Sequence, residues 1–102
     1  MKIMHKNLKR LLIVLGVLAS TISHAQVISL SGSVTDSSTG EPLPGVTVVE
    51  KGTTNGTITN FNGAFTIQVP KGSFVQFSYV GYKTIEQQIS ETTALNIALV
   101  ED

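Results

Sequence analysis

Between residues 26 and 102 the apolar side chains recur at every second position in short runs, each cut off by glycine, proline, asparagine or serine. Alternation of this kind turns one face of an extended strand to a core and the other to water, whereas a helix would need a repeat near 3.6. Val, Ile and Thr supply 26 of these 77 residues. Such β-branched side chains suit a pleated, half-buried surface, and the segment reads as all-β.

Seven runs are expected to form strands. Ile28, Leu30 and Val34 share the inward face of the first, and Val46 and Val48 that of the second. The third, around Thr57 to Asn60, is short and polar, as an edge strand is. Phe65, Ile67 and Val69 point inward in the fourth, and Val75, Phe77 and Tyr79 in the fifth, which leaves Phe74 facing the other way. The sixth runs from Lys83 to Ile89 with Ile85 and Ile89 in phase, and the seventh carries Leu95, Ile97 and Leu99. Between them, Asp36 to Gly40 reads as a polar, solvated turn, and Pro42 and Pro44 hold the chain extended outside a ladder. Asn55-Gly56 and Asn62-Gly63 have the composition of tight hairpin turns with positive φ. Turns every ~8 to 12 residues, with few charges inside the strands, predict a seven-stranded Greek-key β-sandwich.

The first 25 residues are a different object. Lys2, Lys6, Lys9 and Arg10 precede the apolar run Leu11 to Ala19, and a polar stretch follows with small residues at Ser23 and Ala25. That order is a secretory signal peptide, expected to be cut between Ala25 and Gln26. The apolar run is too short for a bilayer, which needs about 20 residues. The expected division is residues 1–25 as leader and residues 26–102 as the exported domain, located in the periplasm or at the outer membrane.

The exported segment is poor in reactive groups. The chain has no Cys, and both histidines, His5 and His24, lie in the leader. Ser/His and Cys/His nucleophile systems and an ordinary zinc site are thereby excluded from residues 26–102. Lys51, Lys71 and Lys83 face seven carboxylates, a formal charge of −4, so no basic face invites nucleic acid. Asp36, Glu41 and Glu50 lack the alternating oxygen ligands of a calcium loop, and a sandwich of this size offers no cleft for a glycosidase carboxylate pair. No catalytic residue, metal or cofactor is expected. Two aromatics stand apart as candidate partner contacts: Phe61 in a hairpin tip and Phe74, out of phase with its strand. Each ring is expected to fold over an open end of the sandwich as a lid.

Five separated blocks occur in order: Gly32-Ser33-Val34-Thr35-Asp36, Gly40-Glu41-Pro42-Leu43-Pro44-Gly45-Val46, Lys51-Gly52-Thr53-Thr54, Asn62-Gly63-Ala64-Phe65 and Phe77-Ser78-Tyr79-Val80-Gly81-Tyr82. In these the chain resembles the carboxypeptidase-regulatory-like, transthyretin-type β-sandwich at the N-terminus of SusC/RagA-type TonB-linked outer-membrane transporters, from Leu30 to about Leu99. The blocks also have scaffold roles of their own: Gly45, Gly52, Gly56, Gly63 and Gly81 are expected at turns, with Tyr79 and Tyr82 bracketing the bend at Gly81. The family commonly carries aspartates where this chain has Asn60-Phe61-Asn62-Gly63, so an acidic cation loop does not carry over. Its transporters continue into a plug and a barrel, and this chain is expected to act without them. The resemblance implies a non-catalytic periplasmic module of a glycan or peptide uptake receptor, with the receptor's plug and barrel or other envelope proteins as partners. The alternative is a free-standing secreted carbohydrate-binding or adhesive sandwich.

Overall fold

The computed structural model describes residues 26–102, and the expected leader with its cut after Ala25 lies outside the described residues. Seven strands follow in chain order: β1 (Val27–Asp36), β2 (Thr47–Glu50), β3 (Gly56–Ile58), β4 (Ala64–Pro70), β5 (Phe74–Ser78), β6 (Ile85–Gln88) and β7 (Ala94–Leu99). They form a three-stranded sheet in the order β4-β1-β7 and a four-stranded sheet in the order β3-β2-β5-β6. Only β2–β3 and β5–β6 are consecutive neighbours within a sheet. Every other connection crosses between sheets, and β1 lies between an antiparallel β4 and a parallel β7. This is the expected seven-stranded sandwich.

The alternation fixes which faces meet. Leu30 stands opposite Ile67, Val34 opposite Ile97 and Val48 opposite Phe77, so each rung sends its apolar pair to the same side. All six are buried, as are Ile28, Val46, Phe65, Val69, Val75, Ile89 and Leu99. Phe65 of one sheet meets Phe77 of the other edge to face, with centroids 5.4 Å apart and planes at 66°. That geometry is worth about 1 kcal/mol beyond the area it buries, and it joins the two layers at their centre.

Three inward assignments are only partly met. Tyr79 lies beyond the end of β5 and is 36% exposed, while Ile85 and Leu95 are half-buried at the margin of the core. Ile85 and Leu95 belong to β6 and β7, each the last strand of its sheet, so nothing on that flank covers them fully. The third strand is indeed an edge, but it spans Gly56–Ile58 rather than Thr57 to Asn60. At Thr59 the regular ladder ends: its amide still donates to the Val46 carbonyl at 3.0 Å, but the Val46 amide is met at 2.9 Å by the Thr59 hydroxyl, which in turn donates to the Leu43 carbonyl at 2.6 Å. The sixth strand is likewise shorter than Lys83 to Ile89.

Gly56 is not a turn residue. It opens β3, and its φ is not positive; the left-handed residue of the β2–β3 turn is Gly52, at φ 82°. The loop is longer than two residues, closing through the Glu50 amide on the Asn55 carbonyl at 2.9 Å. Asn55 contributes its side chain instead, donating to the Gln68 carbonyl at 2.7 Å. Gly45, Gly63 and Gly81 do have positive φ. At Gly63 the requirement is double, since a Cβ there would also come within 2.6 Å of the Val34 carbonyl oxygen.

Candidate functional site

Four of the five sequence blocks converge on one pole of the sandwich, where β1 and β7 end and β2 and β4 begin. Gly45 donates to the Thr59 carbonyl at 3.0 Å, Val34 to that of Gly63 at 2.8 Å, and Asp102 to that of Gly81 at 2.9 Å. Through these bonds the loops at 40–45, 60–63 and 79–82 are tied to Thr59, to β1 and to Asp102 respectively. The Lys51-Gly52-Thr53-Thr54 block forms a turn at the other end of β2.

Asp36 is the organising residue of this pole. Its side chain is buried at the end of β1, not solvated in the following turn as the sequence suggested. Asp36 follows Ile28, Leu30 and Val34 at even positions, so the pleat carries it inward. One carboxylate oxygen accepts from the Ser38 amide (2.8 Å), the Ser38 hydroxyl (2.6 Å) and the Thr39 amide (3.1 Å). The other accepts from the Tyr82 hydroxyl at 2.5 Å, 46 residues away. These donors, Ser38 first and then Tyr82, hold the Asp36 carboxyl well below the usual carboxylate range. The same bond, with desolvation behind it, pushes the Tyr82 phenol up to about 12. Asp36 is therefore ionised and Tyr82 protonated throughout the physiological range.

Around this core lies an exposed apolar rim. Phe61, at the tip of the 60–63 turn, is 89% exposed and Val80 95%, so the expected lid does not form over Phe61. Asn60 explains the ring's position: its side chain accepts from the Asn62 and Ala64 amides at 2.9 and 3.0 Å, closing the turn without help from residue 61. Tyr79 packs against Tyr82 with centroids 5.7 Å apart. Together with Gly45, Thr47, Ser78 and Val80, it lines an open depression. Phe74 sits at the opposite pole, on the outer face of β5 opposite Gln88, and is 46% exposed. The two candidate contact aromatics are thus not brought together.

The remaining carboxylates are scattered. Glu50 accepts from the Asn55 side chain at 3.2 Å. Glu86 pairs with Lys51 at 3.1 Å and accepts from Gln76 at 2.8 Å, which lowers its pKa through Gln76 first and Lys51 second. Among the described residues no three His, Cys, Asp or Glu side chains gather as a metal-binding group. No buried side-chain nitrogen or oxygen there lacks a hydrogen-bond partner. The buried polar groups of the pole are engaged in holding loops, and Phe61 and Val80 stand outward beside exposed polar residues such as Glu41, Asn62 and Glu101.

Two β-sheets stacked on a shared apolar core, with the loops of one pole tied by their own polar groups, define an all-β sandwich domain. The CarboxypepD_reg-like domain family matches residues 30–102, and the chain belongs to that family. It is 36% identical over 99 residues to a TonB-dependent receptor of Formosa agariphila, covering 96% of this chain and 10% of the relative. It is 38% identical over 92 residues to the TonB-dependent receptor SusC of Bacteroides thetaiotaomicron, covering 90% of this chain and 9% of that receptor. A second F. agariphila TonB-dependent receptor is 43% identical over 79 residues, covering 78% of this chain and 8% of its own length. The chain spans about a tenth of the length of these relatives. Among solved structures it is similar to a chain of a type II cohesin–X-dockerin complex from Acetivibrio cellulolyticus, with a TM-score of 0.52 and 30% identity over 70% of this chain and 51% of that one.

Proposed function

We propose that residues 26–102 serve as a non-catalytic interaction module of a TonB-dependent, SusC-type uptake receptor, held on the periplasmic side of the outer membrane. The observation that carries this reading is the match of 78 to 96% of the chain to TonB-dependent receptors at 36 to 43% identity. The chemistry of the pole supports it. Asp36 and Tyr82 are locked into one hydrogen bond with their protons fixed, which suits a rigid mount rather than proton transfer. Phe61 and Val80 then offer apolar surface on loops closed by their own hydrogen bonds.

The test is photocrosslinking in the native envelope, with a photoreactive residue in place of Phe61. The expected product contains peptides of a TonB-dependent receptor, whether from the same polypeptide or from another. Crosslinks only to soluble periplasmic proteins would overturn the reading. A second reading, a carbohydrate-binding or adhesive module, draws on the exposure of Phe61, since an open ring can stack on a sugar. Saturable glycan binding in calorimetry, lost in Phe61→Ala, would favour it over the first.

A further inference from the structure

The two sheets are unequal, with three strands facing four. On one flank β3 packs beside β4. On the other, β6 and β7 each end a sheet among the described residues, and the two are linked at the pole, where Lys83 donates to the Val100 carbonyl at 2.8 Å and Tyr82 bridges Glu101. The half-buried Leu95 and Ile85 mark this flank, which is one strand short of matching its opposite layer.

Among the described residues the outer edge of β7 is open from Ala94 to Ala98, and beyond it Val100 and Asp102 bond to Lys83 and Gly81. Ser31 donates to the Thr93 carbonyl at 3.0 Å and Ser37 to that of Leu99 at 2.9 Å. In a parallel ladder this phase commits the odd-numbered residues of β7 to β1. The amides and carbonyls of Ala94, Asn96 and Ala98 consequently point away from the sheet. An edge of this length is normally blunted by lysine, proline or a bulge. Residues 92–100 contain no lysine and no proline, and their register with β1 runs without interruption from Ala94 to Leu99.

We propose that this edge pairs with the same edge of a second copy of the chain, antiparallel about a two-fold axis at Asn96. Around that point Ala94 matches Ala98, and Leu95 and Ile97 are both branched aliphatics. Ala94 would face Ala98 of the other copy, Asn96 its own counterpart, and the inward Leu95 would meet Ile97. Small side chains on the outer face let the backbones approach, and no charge lies within the paired stretch. Ser33 already donates to the Asn96 side-chain oxygen at 3.0 Å, which orients the amide on the outer face. About six main-chain hydrogen bonds would join the two three-stranded sheets into one of six strands. Contact along a single edge buries less than the roughly 1,200 Å² of a stable interface. The isolated dimer is accordingly weak, and gains strength where the chain is held at high local concentration.

Sedimentation of the chain, expressed with its own leader and purified from the envelope, tests this between about 20 µM and 1 mM, the upper end being the range of tethered modules. The expected result is a monomer–dimer equilibrium within that span, with amide exchange at Ala94, Asn96 and Ala98 slowing as the dimer fills. Asn96→Pro, which removes one outward donor, and the double variant Ala94→Lys with Ala98→Lys are each expected to raise the dissociation constant at least tenfold. Both should leave the monomer's circular dichroism unchanged, and if one fails to fold the other still decides. A chain that stays monomeric to 1 mM overturns the proposal, as does a dimer that either folded variant leaves intact.

Discussion

At the scale of single residues, the Asp36–Tyr82 bond sets a pH window for stability. Asp36 has its pKa lowered on folding, so its contribution is fully present above the ordinary carboxylate value of 3.8 and is lost as pH falls below it. Tyr82 has its pKa raised from 10.0 to about 12; its contribution is present below 10 and is lost as pH climbs through that interval. Thermal melts across pH are expected to show a plateau between these limits. Tyr82→Phe should lower the melting temperature by at least about 5 °C on the plateau and remove most of the alkaline decline. An unchanged alkaline arm in Tyr82→Phe would show that the phenol is not the titrating group. Alternation had the means to reveal Asp36, an even-numbered position in phase with Leu30 and Val34, followed by two hydroxyl residues that close an Asx turn. Tyr82 carried no such sign, because a partner 46 residues away becomes a neighbour only when the sheets stack.

Among the strands, β1 is the most constrained, since it alone has partners on both sides in the shorter sheet. A Cβ at Gly32 would overlap the Leu95 carbonyl oxygen of β7, whereas at Gly40, with φ 74°, it would meet nothing within 4 Å. Gly32→Ala is expected to cost about 3 kcal/mol through forced separation of β1 and β7, and Gly40→Ala only about 1 kcal/mol of backbone strain. Denaturant melts of the two variants separate steric from conformational glycine, and equal losses would contradict the assignment. The same contrast holds for the aromatics: Phe77→Ala should cost about 3 to 5 kcal/mol, and Phe61→Ala no more than about 0.5 kcal/mol. The strands themselves were legible because period-two patterning and turn residues are local properties of the chain. The steric need at Gly32 was not, since it arises from the parallel pairing of β1 with a strand more than sixty residues later. Phe61 was misjudged for a related reason: Asn60 satisfies the turn amides by itself, so nothing draws the ring over the core.

For the molecule as a whole, the described fold is built by residues 26–102. The buried cluster, the two sheets and the polar network at the pole all lie within residues 26–102. Gln26 is the first described residue; it is exposed, and its carbonyl accepts from the Lys71 amide at 2.7 Å. A cut just before it would thus leave the first strand pair closed, and would remove four of the chain's seven basic residues. Residues 1–25 carry the basic, apolar and small-residue order that an export machine reads in a signal peptide, and we propose that they are one. The form recovered from the envelope is expected to begin at Gln26 and to keep the thermal stability set by its thirteen-residue core. N-terminal sequencing with intact mass checks this directly, and replacing Leu12 and Val14 by Asp should hold the full-length chain in the cytosol by breaking the apolar run. Recovery of an envelope form that still starts at Met1 would instead show that residues 1–25 are not removed on export.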